Sequence, residues 1–288
     1  MNKPLSLSLL ASVIASGAIV AIQPAAHAAS FSFDAQDVLD GGCTPNSRTF
    51  NNVKQFYGGS SCTVNDFFTL TASTSRNGAN PALTVKELTK VVKKNTEVFA
   101  LGIGVDSSNP QNGEATGSQG EIDFDELLHV GFKKLGVVSK LDLNLLYRPG
   151  VYADEVFEVA LATADGGTKQ GTLTVTGQSS AVWSLGGTVI NLSPSSQGSG
   201  GAYQILNPFG DLKVTGFSLT AVRQFAKDKN GNLLKDKKGN PYYPQSYKNS
   251  DFTLSSVEVT KVPEPATLLG LGVVGLAAFT RRRTVKAE

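Results

Sequence analysis

The acidic run EIDFDE, residues 121–126, is the stretch whose residue types could best carry chemistry. If this run forms a strand, Glu121, Asp123 and Asp125 share one face. Three like charges on one face repel unless they are solvated, paired with lysines or neutralised by a cation. Calcium prefers oxygen ligands, and Asp106, which begins the preceding loop, could join Glu121 and Asp123 around such an ion. Two interpretations stay open, a calcium site and a solvated or lysine-paired face.

The same carboxylates raise an enzymatic alternative, because glycosidases need two carboxyl groups at a set separation. A secreted polysaccharide hydrolase would draw its acids from Glu121, Asp123, Asp154 and Glu155. The motifs of other hydrolases and of nucleotide-binding loops do not occur. His129, expected to be packed or at a sheet edge, is the one histidine that follows the N-terminal segment. The sequence therefore predicts no catalytic residues and a non-enzymatic protein that requires no cofactor, with calcium as the candidate ion.

Aromatic residues suggest carbohydrate binding, in which an aromatic face lies against a sugar ring. Trp183, Tyr242 and Tyr243 are the candidates. Trp183 alternates like a core residue, so two interpretations stay open for it, core packing and a ligand platform. Tyr242 and Tyr243 lie between Pro241 and Pro244 and are better candidates for exposure.

Alternating apolar and polar residues predict strands with one wet face. The predicted apolar faces carry Leu141, Leu143 and Leu145 in one strand, Phe157, Val159 and Leu161 in a second, and Phe217, Leu219 and Ala221 in a third. Such runs recur every ten to twenty residues and are separated by turn residues. This spacing predicts one all-β domain, residues 29–261, folded as an antiparallel two-sheet β-sandwich of jelly-roll-like form.

Cys43 and Cys62 are the two cysteines of the chain. A disulfide between them would close a loop of about 20 residues and contribute about 3 kcal/mol in the chain-entropy model. Such a bridge forms only outside the reducing cytosol, which agrees with the N-terminal segment described below.

The segment DKNGNLLKDKKGN, residues 228–240, resembles the start of an EF-hand loop. Gly231 stands at the fourth position instead of the sixth, and Gly239 stands where a glutamate is needed. We therefore expect a protruding lysine-rich hairpin with turns at its Asn-Gly and Gly-Asn steps.

Both ends of the chain have the composition of processing signals. Residues 1–28 combine a basic start, an apolar segment and the Ala26-His27-Ala28 pattern, which predicts cleavage by signal peptidase. Without the charges of the two ends the net charge falls from +2 to about −1, so nothing predicts a nucleic-acid partner. An uncharged stretch of 13 residues, 268–280, is shorter than the roughly 20 residues that cross a bilayer comfortably. It precedes Arg281, Arg282 and Arg283, which should stay cytoplasmic together with residues 284–288.

The triplet Pro263-Glu264-Pro265, the apolar stretch and the arginine cluster together resemble the PEP-CTERM sorting signal of Gram-negative bacteria, across residues 262–283. The resemblance implies processing by an exosortase and often a link to exopolysaccharide or biofilm. We therefore expect an exported protein that is transiently anchored in the inner membrane by a short transmembrane helix. Its final place would be the cell surface, the outer membrane or the extracellular matrix, with extracellular polysaccharide as its partner. A purely structural surface component is a further alternative.

Overall fold

A computed structural model describes residues 29–50, 53–92, 95–107, 120–151, 154–193, 201–245 and 248–262. Within them the chain forms the short helix α1 (Ala35–Asp40), a 3-10 turn (Asp165–Gly167) and fifteen strands. The strands are β1 (Ser30–Asp34), β2 (Asn46–Phe50), β3 (Val53–Tyr57), β4 (Ser61–Val64), β5 (Phe68–Thr74), β6 (Ala82–Val92), β7 (Asn95–Asp106), β8 (Glu126–Leu146), β9 (Val159–Ala164), β10 (Gln170–Val175), β11 (Ala181–Trp183), β12 (Thr188–Asn191), β13 (Gly201–Leu206), β14 (Lys213–Ala221) and β15 (Thr253–Lys261). The predicted cleavage and sorting residues lie outside the described residues; they are Ala26, Ala28, Pro263, Glu264, Pro265, Arg281, Arg282 and Arg283.

The predicted all-β antiparallel fold is confirmed. The strands join one hydrogen-bonded network in the order β11-β10-β9-β14-β8-β15-β7-β6-β3-β2, and all neighbours in this order are antiparallel. Three branches leave this path: β1 pairs with β15, the β12–β13 pair joins β8, and the β4–β5 pair also joins β8. The stretch from Leu83 to Val92, which fits a helical face as well as a strand, is part of β6.

Strand β8 holds the two halves of the network together. It is 21 residues long. Around Val130 it lies between β5 and β14, and around Leu141 it lies between β13 and β15. Its register with β14 shifts between Gly131 and Gly136, and bulges of this kind let one strand serve two sheets. The sandwich therefore has a shared strand and is not divided into two separately bonded sheets.

Four phenylalanines from four strands form the centre of the core. Phe33 of β1 lies 4.7 Å from Phe68 of β5, measured between ring centroids. Phe132 of β8 lies 5.7 Å from Phe68 and 6.1 Å from Phe217 of β14. Tilted and edge-to-face contacts at these distances are favourable for aromatic rings. The cluster packs β1, which pairs with β15, against β5, β8 and β14, which pair with one another around Val130.

The predicted alternation in β8 is correct for Leu141 and Leu143 and wrong for Leu145. Leu145 adopts φ +67° and is only half-buried, whereas Leu146 is fully buried. The pairing of β8 with β13 skips Leu145, so the strand carries one extra residue there. An extra residue reverses the alternation beyond it, which is why Leu146 and not Leu145 faces the core.

The predicted disulfide is present between Cys43 and Cys62, with 5.5 Å between their Cα atoms. It connects the chain just after α1 to β4. The helix itself was not predicted. Asp34 caps it by accepting hydrogen bonds from the backbone nitrogens of Gln36 at 2.8 Å and Asp37 at 3.0 Å.

Trp183 is a core residue, so the first of its two open interpretations is correct and the ligand platform is not. Its side chain is 3% exposed, and its indole nitrogen donates to the carbonyl oxygen of Pro208 at 2.8 Å. The ring covers Gly171 of β10 so closely that a Cβ atom there would lie 2.1 Å from it. The packing of Trp183 from β11 on β10 therefore leaves room only for glycine at position 171.

We predict that Gly171→Ala destabilises the domain by about 1–3 kcal/mol, because the added methyl overpacks the Trp183 contact. Denaturant unfolding followed by tryptophan fluorescence measures the loss, since Trp183 is the only tryptophan of the chain. Gly59→Ala is the matched control, because the nearest atom to a Cβ at Gly59 is 3.9 Å away. Equal stability of the two variants would contradict the packing argument.

Candidate functional site

The acidic run at residues 121–126 does not form the strand on which its three acids would share one face. Ile122 makes a single bridge with Phe252, and β8 begins only at Glu126. Glu121 and Asp123 are 6% and 2% exposed. Glu121 and Asp123 are therefore withdrawn from solvent, whereas the Asp125 side chain is 37% exposed.

Basic side chains pair with these acids. Lys86 of β6 bonds to Glu121, and Arg76 lies 3.4 Å from both Asp123 and Asp125. Arg76 and Lys86 are themselves each 12% exposed. These ion pairs agree with the interpretation that basic side chains neutralise the acids. The basic residues come from distant parts of the chain.

The proposed calcium ligands are divided between different partners. Asp106 pairs with Arg48 of β2, whereas Glu121 pairs with Lys86. In the part of the chain that the structure describes, no group of three or more His, Cys, Asp or Glu residues could hold a metal ion. Residues 108–119, the loop expected to supply further oxygens, lie outside the described residues. Calcium at Glu121, Asp123 and Asp106 stays a prediction.

A second group of acids converges below the surface and was not predicted as a unit. Asp154, Glu158 and Asp251 are at most 8% exposed and lie close enough to Glu121 to interact electrostatically. We call Glu121, Asp154, Glu158 and Asp251 the carboxyl cluster. One carboxylate oxygen each of Asp154 and Glu158 has no hydrogen-bond partner among the described residues. The second oxygen of Glu158 accepts from the backbone nitrogen of Tyr147.

Glu158 was expected on the wet face of its strand, and this prediction is wrong. The alternation placed Phe157, Val159 and Leu161 on the apolar face, but Ala160 is more deeply buried than Leu161. Strand β9 lies between β10 and β14, so its small alanines can pack inward while its larger residues cover the other face. Glu158 is in phase with Ala160 and is therefore carried into the interior.

Burial sets the protonation of the carboxyl cluster. Burial, followed by the nearby Glu121 carboxylate, raises the pKa of Asp154 to about 8. Burial and the charge of Asp154 raise the pKa of Glu158 well above its usual range, and burial and Glu121 do the same for Asp251. Asp251 also hydrogen-bonds to Glu121, which forms an ion pair with Lys86. Asp154 therefore holds a proton at neutral pH, and burial favours the protonated forms of Glu158 and Asp251.

Of the hydrolase candidates, Glu155 alone is not buried, and it holds other side chains in place. It accepts hydrogen bonds from the Tyr242 hydroxyl at 2.8 Å and from the Lys248 ammonium at 2.6 Å. Burial alone would raise the pKa of Glu155, but these two bonds outweigh it and lower the pKa. Tyr242 is accordingly half-buried with its hydroxyl engaged, so it is less exposed than predicted, and its role in ligand binding stays a prediction.

His129 lies on β8 near a serine and an aspartate without forming a catalytic relay. Its Nδ1 atom lies 3.1 Å from the Ser218 hydroxyl and 3.7 Å from Asp165. A Ser-His-Asp relay needs the serine and the aspartate on different ring nitrogens. Here both approach the same nitrogen, so His129 cannot pass a proton between them.

Tyr243 is exposed, as predicted, and two unpredicted residues accompany it. It is 44% exposed and stacks on Phe225, which is 39% exposed, with ring centroids 4.1 Å apart and an interplanar angle of 20°. The Arg223 guanidinium lies 4.5 Å from the Tyr243 ring and 5.1 Å from the Phe124 ring. We call Arg223, Phe225 and Tyr243 the aromatic platform. Exposure alternates along residues 222–225 and leaves Arg223 and Phe225 exposed. This is a property of the fold, and no sequence pattern marked an exposed phenylalanine there.

Two tight turns connect the two parts of the aromatic platform in the chain. They replace the single predicted hairpin, and they use Asp228 and Asp236 as turn-capping residues, not as metal ligands. The first turn begins shortly after Phe225 and the second ends shortly before Tyr243. The turns and the platform therefore form one continuous surface segment, residues 223–243.

A cleft of about 360 Å³ lies elsewhere, between the β11–β12 loop and the segment that follows β13. Its lining comprises Lys169, Leu185, Gly186, Gly187, Thr188, Leu206, Asn207 and Gly210. None of these residues is acidic, so this cleft does not supply the carboxyl pair of a glycosidase.

Residues 261–283 match the family model of the PEP-CTERM protein-sorting motif. The chain therefore carries a PEP-CTERM sorting signal, which implies export, a membrane-anchored precursor and processing by an exosortase. No curated protein and no solved structure matches the chain. Among the described residues, no helix is both long and apolar enough to cross a membrane, and the predicted membrane segment, 268–280, lies outside them.

We predict that Asp154→Asn changes how stability depends on pH. The folded chain keeps the Asp154 proton up to a pH of about 8, whereas the unfolded chain loses it near the ordinary pKa of 3.8. Unfolding therefore releases a proton in this range, and the wild type loses up to about 1.4 kcal/mol per pH unit through this group as pH rises. The variant should lose less stability than the wild type between pH values of about 4 and 8.

Denaturant unfolding at a series of pH values measures this difference. Asp211→Asn, at an exposed residue just before β14, is the matched control and should keep the wild-type pH dependence. A constant difference between Asp154→Asn and wild type at every pH would contradict the assignment.

Proposed function

We propose that the mature protein is a non-enzymatic component of the cell surface or extracellular matrix that binds extracellular polysaccharide through the aromatic platform. The observation that carries the proposal is the exposed stack of Tyr243 on Phe225 beside Arg223. Exosortase processing adds support, because it delivers the domain to the compartment where such polysaccharides lie.

The platform has the properties that sugar binding requires. A sugar ring presents apolar C–H faces and polar edges, so an aromatic side chain with a neighbouring hydrogen-bond donor suits it. Phe225 and Tyr243 provide the ring surface, and Arg223 provides donors next to it. The stack also limits the freedom of the two rings, which lowers the entropy cost of binding.

A polysaccharide hydrolase is the second candidate, and one observation favours it. A general acid needs a raised pKa, and the pKa of Asp154 is raised to about 8. Burial argues against this role, because Glu121, Asp123 and Asp154 are each at most 7% exposed. Since a general acid must reach its substrate, the binding function is better supported than hydrolysis.

We predict that Phe225→Ala and Tyr243→Ala each weaken binding of the organism's own exopolysaccharide about tenfold, a loss of about 1.4 kcal/mol. Isothermal titration with the exported domain, with calcium and with a chelator, measures the affinity and any role of the ion. Tyr57→Ala is the matched control, because Tyr57 also lies under an arginine, Arg48, at 5.6 Å.

Release of reducing sugars, assayed in the same samples, separates the candidates. Cleavage that Asp154→Asn abolishes would replace the binding proposal by the hydrolase. Neither binding nor cleavage, together with self-association, would favour a purely structural surface component.

We predict that alanines in place of Pro263, Glu264 and Pro265 stop processing, because exosortase would no longer meet its motif. The uncut precursor should accumulate in the membrane fraction, with intact mass measured by mass spectrometry. Its domain should keep wild-type stability, since β15 ends at Lys261 before the replaced residues. Normal processing of the variant would contradict the sorting role of the triplet.

A further inference from the structure

The surface segment that joins the aromatic platform is an eight-residue unit used twice. Residues 227–234 read KDKNGNLL, and residues 235–242 read KDKKGNPY. We propose that the lysines of this repeat bind the carboxylates of an anionic polysaccharide, so that the ligand is a polyuronate-like chain. This inference rests on the proposed function and specifies the chemical class of its ligand.

The two units have the same backbone geometry. The Asp228 carboxylate accepts from the backbone nitrogens of Asn230 and Asn232, both at 2.9 Å. Asp236 accepts in the same way from the residues two and four positions further on, at 2.8 and 2.9 Å. Gly231 and Gly239 both adopt φ +85°, a conformation that suits glycine. The same turn is therefore built twice in succession.

The turns are fixed to the domain. The backbone nitrogen of Ala226 donates to the carbonyl oxygen of Tyr242, and that of Leu234 donates to Ala226, both at 2.9 Å. These three residues are eight positions apart, so equivalent points of the units lie side by side. Ala226 is fully buried, and Lys227 donates from its backbone to Glu155 at 2.6 Å. A ligand would meet a preorganised surface, not a loop that must first be ordered.

The exposed charge of the repeat is positive. Residues 227–242 contain five lysines and two aspartates, and both aspartates are engaged as turn caps. The exposed lysines are Lys229, Lys235, Lys237 and Lys238. The ion pairs found among the described residues involve none of these four. Their charges are therefore available to an outside anion.

Repetition favours a polymer over a single anion. Lys229 and Lys237 occupy the same position in successive units, and neighbouring hydrogen-bonded segments lie about 4.8 Å apart. A ligand with a carboxylate on every sugar could contact both units, and its rings could reach the platform that begins at Phe225 and ends at Tyr243. The aromatic rings favour a sugar polymer over other polyanions, because they supply a surface for its C–H faces.

The test compares polygalacturonate with its fully methyl-esterified form, which has the same backbone without the charges. The exported domain should bind polygalacturonate at least tenfold more tightly than the ester, and the difference should shrink as salt screens the charges. Lys229→Gln and Lys237→Gln should each remove a similar part of this preference, and the double variant most of it. Binding to the ester should change little.

Lys133→Gln with Lys213→Gln is the control pair. Both residues are exposed and lie on the paired strands β8 and β14. Lys213 begins β14, whereas the repeat follows the other end of that strand. This pair should keep the preference for polygalacturonate.

Each other outcome overturns the inference. Equal binding of the acid and the ester would leave the proposed glycan binding intact but remove the lysine role. If the control pair at Lys133 and Lys213 lost as much of the preference for polygalacturonate as the pair at Lys229 and Lys237, net charge alone would be responsible. Equal affinity for double-stranded DNA would show an unselective polyanion surface, and binding of neither polymer would remove this ligand class.

Discussion

Strand β8 has to serve as the hydrogen-bonding partner of four other strands, and much of the architecture follows from that constraint. A strand of 21 residues spans roughly 70 Å when fully extended, too long for one layer of a domain this size. Its register with β14 shifts between Gly131 and Gly136, and bulges of this kind bend a strand. Glycine is needed at the second position, because a Cβ atom on Gly136 would lie 2.3 Å from Val259 of β15. One hydrogen-bonded network can thereby enclose one core.

The carboxyl cluster is a consequence of how β8 ends. Beyond Leu146 the regular pairing stops, and backbone groups there need other partners. Glu158 supplies one, since its carboxylate accepts from the backbone nitrogen of Tyr147 while its own nitrogen donates to the carbonyl of Tyr147 at 3.1 Å. The bond draws an acid into the interior, where Asp251 and Asp154 already lie. Burial raises the pKa of all three acids, which favours the protonated forms and avoids a buried charge that few bases balance.

The sequence predicted the fold class well because period-2 alternation is a local signal. It failed at Leu145, where one extra residue in the strand left no mark in the composition, and at Glu158, where small inward alanines looked like the wet face. Exposure of Tyr243 was predictable from its flanking prolines. Its stacking partner Phe225 was not, because the two are 18 residues apart in the chain and meet only through the two turns. The acidic run at 121–126 was misjudged for the same reason, since its basic partners come from residues more than 30 positions earlier.

The segment at residues 248–251 gives the carboxyl cluster and the aromatic platform a common support. Asn249 is fully buried and exchanges two hydrogen bonds with the backbone of Gln224, between Arg223 and Phe225 of the platform. Lys248 bonds to Glu155, which also holds the hydroxyl of Tyr242 next to Tyr243. Asp251, two residues after Asn249, belongs to the carboxyl cluster. The exposed rings are thus positioned by a short polar segment that continues directly into β15, and a surface built mainly on turns gains the rigidity of the central strands.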